Sequence, residues 1–249
     1  GLSYAEYLSS LTGYPMATGF GLATHFYNLK HDLVPQEPQS ICTIADYVAM
    51  RLCGLTAPVM HPSLAHSLGL FDLASGGFDA EALRAAEIVG EILPQVASEE
   101  IQIGQTPEGI PVCIAIGDNQ ASFLGALQPG AGVLVNIGTG AQLSALSEDI
   151  LALPPLETRP YIRDAYLLVG SALCGGSAYS LLRDFFAQTL RGLGGVEPKN
   201  LYQKMETLGE AAYRGTTALE VDTRFKGSRA DPDLRGAIRT LGLDNFTPG

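Results

Sequence analysis

Seven mostly apolar residues stand between two glycines, Ile110-Pro111-Val112-Cys113-Ile114-Ala115-Ile116, and the run closes on Gly117 and a single acid, Asp118. A short, continuous apolar run of this kind predicts a buried strand of a parallel or mixed sheet. A strand covered on both faces needs helices packed against it, so this run points to an α/β protein. Asp118 then falls at the carboxyl end of the strand, where open α/β sheets place ligand-binding groups. A carboxylate there can act as a general base toward an alcohol. The commoner use of an Asp at such a point is to cap the helix that follows.

Other stretches fill in the alternation of strand and helix. Residues 40–54 predict a helix with Ser40 as N-cap, Ile41, Ile44, Val48 and Leu52 at helical spacing, and Gly54 at its end. Asp79 is placed to cap a short helix reaching Ile88. Residues 119–127 are small and apolar with a helical pattern, and Gln128-Pro129-Gly130 reads as a turn and a domain seam. Residues 132–137 and 141–146 read as two strands of a hairpin whose tip is Gly138-Thr139-Gly140. Residues 166–170 form a further strand candidate. Gly175-Gly176-Ser177 opens a helix carrying Leu181, Leu182, Phe185 and Phe186, and residues 200–213 suggest another.

Charge narrows the function. The chain carries 15 Lys+Arg against 26 Asp+Glu, a formal net charge of −11. Phosphate neutralisation needs clustered Lys and Arg, so a nucleic-acid partner is not expected. The imbalance sits in residues 1–125, while the second half is close to neutral. If one half binds an anion, the second is the better candidate, although both surfaces can simply be solvated. No stretch of about 20 apolar residues suggests a membrane span, and no signal segment opens the chain. Cys42, Cys53, Cys113 and Cys174 form no C-x-x-C pair, and His25, His31, His61 and His66 lack metal-ligand spacing. Neither a metal site nor a disulfide framework is expected, and a reducing compartment fits.

Two glycine turns could meet phosphate. Gly138-Thr139-Gly140 exposes backbone N–H groups and adds a hydroxyl donor. Gly175-Gly176 before a helix could admit a nucleotide to a helix N-terminus. Each also has a plain alternative: glycine at hairpin tips serves backbone geometry, and paired glycines allow close helix–strand packing.

Taken together the motifs are more specific. Gly117-Asp118-Asn119-Gln120-Ala121-Ser122, a Pro-Gly turn and then Val135-Asn136-Ile137-Gly138-Thr139 resemble the middle of the FGGY family of carbohydrate kinases. Leu11-Thr12-Gly13, Asp46-Tyr47 through Leu52-Cys53-Gly54 and Leu70-Phe71-Asp72 resemble family segments in the same order, with Cys53 where Thr is usual. Gly227-Ser228-Arg229 and Asp231 to Gly236 resemble a later family loop, with Ser228 in place of Glu. Within the family the likeness is greatest to the branch that phosphorylates sedoheptulose.

That resemblance implies two actin-like, ribonuclease-H-like α/β ATPase domains flanking a cleft. Residues 1–127 would belong to the sugar-binding domain and 128–249 to the nucleotide-binding domain, both incomplete. Asp118 matches the catalytic base, and Asn119 and Gln120 stand where sugar hydroxyls are held. Gly138, Thr139 and Gly140 match a phosphate loop, and Gly175 and Gly176 a turn near the nucleotide. ATP and Mg²⁺ are the implied cofactors, a cytoplasmic enzyme the implied setting, and a homodimer is compatible with it. The implied product is sedoheptulose 7-phosphate, with xylulose, ribulose and glycerol as other substrates, or a non-catalytic sugar- or nucleotide-binding protein of the same fold. The family's early Asp-x-Gly-Thr loop does not occur before residue 118, and there is no Trp. The residues are therefore expected to be an internal part of a longer enzyme, inactive by themselves.

Overall fold

Ser3 begins the first element. Its hydroxyl accepts from the Glu6 N–H while the Glu6 carboxylate accepts from the Ser3 N–H at 2.7 Å, a reciprocal cap that starts α1 (Tyr4–Thr12). Gly13 ends that helix in the left-handed region at φ +76°. The computed structural model describes residues 1–37, 40–97, 101–128, 130–212, 219–228, 231 and 233–247. They divide into two units, one of Gly1–Leu134 with Ser144–Val169, the other of Val135–Leu143 with the chain from Gly170 on.

In the first unit α1 is followed by α2 (Gly21–Lys30) and α3 (Ile44–Leu52). Next come β1 (Val59–Met60), α4 (Pro62–Leu68), β2 (Phe71–Asp72), β3 (Gly77–Phe78) and α5 (Ala80–Ala85). A single 3-10 turn at Gly90–Ile92 leads to β4 (Gln95–Val96), which pairs parallel with β1. Leu8, Leu22, Phe26, Met60, Ala65 and Ala86 are fully buried in one apolar core shared by α1, α2, α4 and α5. As expected, Asp79 caps α5, its Oδ1 accepting from the Glu81 and Ala82 N–H groups at 2.8 and 3.0 Å.

The helix expected from Ser40 begins later. Thr43 is its N-cap, in a capping box with Asp46, and Ser40 instead bonds the Ile92 carbonyl. Asp46 and Ala49 make the buried face, while Ile44, Val48 and Leu52 are exposed. Three apolar residues at helical spacing predicted the opposite face.

The apolar run before Asp118 is not a buried parallel strand either. β5 (Gln102–Gln105) and β6 (Pro111–Cys113) form an antiparallel two-stranded hairpin, turned at Gly109 with φ +84°. Pro111 and Cys113 are exposed, and within the run only Ile114 is buried. Pro111 has no N–H to give a central ladder, which confines it to an edge or a strand end.

Next come α6 (Asp118–Ala126), β7 (Val133–Ile137), β8 (Ala141–Ser147), β9 (Glu157–Pro160) and β10 (Tyr166–Ala172). Four strands hydrogen-bond in the order β7-β8-β10-β9, with β9 and β10 antiparallel. Phe123 of α6 is buried with Leu167 and Val169, its ring edge-on to Tyr161 at 5.4 Å between centroids. Gln128 accepts from the Ala131 N–H, as a turn there requires, while Pro129 lies outside the described residues.

The second unit continues with α7 (Gly176–Gly192), α8 (Leu201–Ala212) and an antiparallel pair, β11 (Glu220–Asp222) with β12 (Ala237–Arg239). α7 and α8 meet through Ala187, Leu201 and Met205, flanked by Phe186 and Leu190. Leu181, Leu182 and Phe185, which the expected helix carries, are exposed. Tyr213, Arg229 and Pro232, which fall within the expected elements and motifs, lie outside the described residues.

Candidate active site

Asp118 is the first residue of α6. The N-cap is Gly117, which makes no side-chain cap. The Asp118 carboxylate is exposed, and its Oδ1 accepts from the neighbouring Asn119 N–H at 2.6 Å. An acid in the first turn meets the positive end of the helix dipole. The helix thus favours an anion here without consuming the carboxylate, and one oxygen is left to meet a ligand.

The two residues after it differ from each other. Asn119 is half-buried, its Nδ2 donating to Ser144 Oγ at 3.3 Å, and its Oδ1 is shielded with no partner. Gln120 is 3% exposed, and its Nε2 donates to the Pro160 carbonyl at 2.8 Å. That bond ties α6 to β9. A Cβ on Gly117 would meet the Gln120 side-chain oxygen, so a larger residue there would require the tip of that side chain to shift.

The second unit holds the glycine turn. Gly138 N–H donates to the Gly140 carbonyl at 2.9 Å and closes it. The Gly138 and Thr139 carbonyls accept from the first N–H groups of α7: Gly176 to Gly138 at 2.7 Å, Gly175 and Ser177 to Thr139 at 2.9 and 3.2 Å. A Cβ on Gly175 would overlap the Gly140 carbonyl, and one on Gly176 would lie 2.9 Å from the Gly138 oxygen. Gly175 and Gly176 are therefore required by close backbone packing, and their N–H groups are already engaged. Among the described residues no hydrogen bond engages the Thr139 hydroxyl or the N–H groups of Thr139 and Gly140. Thr139 is exposed, and a Cβ on Gly138 would meet nothing within 4 Å. Three unengaged donors on one exposed turn are suited to an anion.

Among the described residues no group of three or more His, Cys, Asp or Glu side chains gathers as a metal cage. No helix among them is long and apolar enough to cross a membrane. Asp222 is held down to about 2 by hydrogen bonds from Arg224, whose Nη2 lies 2.6 Å away, with Arg239 adding to the effect. Sequence reasoning missed a buried polar set, Asp46, His61 and Ser63, 1%, 1% and 4% exposed. Its one legible signal was Thr43-x-x-Asp46, the spacing of a capping box.

No protein-family model matches the chain. It is 30% identical to the sedoheptulokinase of Homo sapiens over 98% of its length and 55% of that protein's. It is 31% identical to the sedoheptulokinase of Mus musculus over 94% of its length and 52% of that protein's. The chain spans about half the length of the relatives it matches. Among solved structures, a xylulose kinase from Rhodospirillum rubrum superposes with a TM-score of 0.77 at 24% identity, covering 98% of this chain and 51% of that one. A Plasmodium falciparum glycerol kinase with ADP gives 0.68 at 19% identity, over 98% and 50%. These structures show the fold, the actin-like ATPase fold of sugar kinases.

Proposed function

Because the chain belongs to the FGGY family of carbohydrate kinases, we propose that the protein carrying it transfers the γ-phosphoryl group of ATP to a sugar hydroxyl. We propose sedoheptulose as that sugar and sedoheptulose 7-phosphate as the product, which the likeness to two sedoheptulokinases supports. One observation carries the chemistry: an exposed carboxylate, Asp118, at the first position of α6 with an oxygen to spare. It takes the proton of the attacking hydroxyl as the sugar oxygen bonds to the γ-phosphorus. The bond from that phosphorus to the β,γ-bridging oxygen breaks, and ADP leaves. Phosphoryl transfer asks mainly for positioning and charge neutralisation, so a carboxylate and a donor-lined turn go far.

The Thr139 and Gly140 N–H groups and the Thr139 hydroxyl would hold phosphate oxygens. Gly175 and Gly176 would fix the turn against α7 rather than touch the nucleotide. Asn119, half-buried where Gln120 is fully buried, would reach the sugar in preference to Gln120. Residues 1–127 would serve the sugar and 128–249 the nucleotide. Mg²⁺ fits as a companion of the phosphates, since it is commonly held by nucleotide oxygens and waters with few protein carboxylates. Bound there, it would neutralise phosphate charge. The setting we propose is the cytoplasm.

The test is ADP release by the full protein with sedoheptulose, xylulose, ribulose and glycerol in parallel. Sedoheptulose is expected to give the highest kcat/KM. A different best sugar would correct the substrate, and no turnover with any would overturn the kinase reading.

A further inference from the structure

The buried set beside α6 has the composition of a nucleophilic triad but a different wiring. His61 is the N-cap of α4, and the Ser63 N–H donates to its Nδ1 at 3.1 Å. Ser63 Oγ lies 2.8 Å from the same Nδ1. Because Nδ1 already accepts from a backbone N–H, it presents its lone pair there, and the Ser63 hydroxyl proton points at it too. The Ser63 oxygen is then left to accept, and the Gly117 N–H donates to it at 3.0 Å. Gly117 is the residue immediately before Asp118. Asp46, buried and with Oδ1 unpartnered, is coupled electrostatically to His61. Ser63 is 4% exposed, so its oxygen is not presented to a substrate, as a nucleophile would be.

We propose that Ser63, oriented by His61, is a positioning residue that fixes the Gly117–Asp118 turn and so aims the Asp118 carboxylate. The inference rests on the kinase reading of Asp118. Gly117 is held at two points: its N–H by Ser63, and its carbonyl by the Ala121 N–H at 2.8 Å in the first turn of α6, so Ser63 is the anchor on the side that leads into the helix. Losing the anchor frees the turn to move by up to about 1 Å. Misplacement on that scale costs up to about 100-fold in rate when the group acts on a reacting atom.

The test uses the full protein with Ser63→Ala, Ser63→Thr and His61→Asn. Ser63→Thr keeps the hydroxyl, and Asn offers an oxygen near the Nδ1 position as well as an N-cap. Ser63→Ala is expected to lower kcat about 10- to 100-fold with KM for ATP within about twofold, and to speed amide exchange at Gly117. Ser63→Thr and His61→Asn are expected to keep most of the rate. If Gly117 exchange is unchanged in Ser63→Ala, or if it speeds up while kcat holds, the positioning role is overturned. Equal losses in Ser63→Ala and Ser63→Thr overturn it as well. Should Ser63→Ala fail to fold, Ser63→Cys, with a weaker acceptor, reads the same quantities. A wild-type protein without sugar kinase activity overturns the proposed function instead, and Gly117 exchange still reports on the anchor.

Discussion

At the scale of single residues, Asp118 combines two uses that are often alternatives. It opens a helix, where a negative charge is favoured, and it stays exposed. Asp118→Asn keeps the shape and the acceptor for the Asn119 N–H but removes the base. Turnover of the full protein is expected to fall about 10²- to 10⁴-fold with ATP affinity little changed. Steady-state kinetics with calorimetric ATP titration measures both, and near-normal turnover would sink the assignment. Asp118 was visible in the sequence because it ends an apolar run. Asp46 showed only as the partner of Thr43 in a capping-box spacing, and His61 and Ser63 not at all, because nothing in a sequence says which polar residues are carried inside. Gln120 read as a sugar contact because it stands two positions from Asp118, but two residues are just over half a turn of helix, about 200°, which carries it inward to Pro160.

At the scale of elements, the glycine turn and α7 form one piece of backbone. Two glycines in it face opposite demands. Gly138 has open space where a Cβ would go, whereas Gly175 has the Gly140 carbonyl. Gly138→Val is expected to leave the melting temperature unchanged and weaken ATP binding, because its bulk projects where phosphate approaches. Thr139→Val, which deletes only a donor, should act in the same direction. Gly175→Ala is expected to destabilise the fold by roughly 2 kcal/mol or more through backbone collision. Calorimetry of unfolding and of ATP binding separates the two effects, and a Gly138→Val protein that binds ATP normally would remove the turn from the nucleotide site.

Helix α4 makes a prediction about pH. Burial holds the His66 imidazole down at about 4, with Arg159 adding to the effect and Glu157 opposing it. In an unfolded chain the ring titrates near ~6.5. Between these values the unfolded chain binds more protons, so stability falls as pH drops from about 6.5 toward 4. The loss is on the order of 2 kcal/mol, less than the full shift implies because the ring is only partly shielded from water. His66→Gln should flatten that part of the stability–pH curve in urea unfolding at pH 7 and pH 4.5. An unchanged slope would count against the buried neutral imidazole. Legibility at this scale followed local chemistry. Asp79 announced α5, and glycines announced the β7–β8 turn, because caps and turns are set by neighbours in sequence. β9 went unread, since Glu157–Pro160 carries no alternating pattern and is a strand only because β10 pairs with it.

At the scale of the whole chain, the apolar core is unevenly shared. Fifteen buried residues between Leu8 and Ile88 form one cluster around α1, α2, α4 and α5. The second unit has Ala187, Leu201 and Met205, with Phe186 and Leu190 against them. Its α7 leaves Leu181, Leu182 and Phe185 exposed, and β7 exposes Val133, Val135 and Ile137 along one face. Burial of apolar area is the main favourable term in folding, so local opening should follow this distribution. Hydrogen exchange on the 249-residue chain is expected to find the slowest amides in α1, α2 and α4. Those of α7 and α8 should exchange at least about 10-fold faster, which corresponds to about 1.4 kcal/mol in opening free energy. Denaturant should then release the α7–α8 signals first, so that probes placed in the two units give different midpoints. Coincident midpoints and equal protection would mean that the two units unfold as one, and that the small α7–α8 cluster draws its stability from elsewhere in the chain.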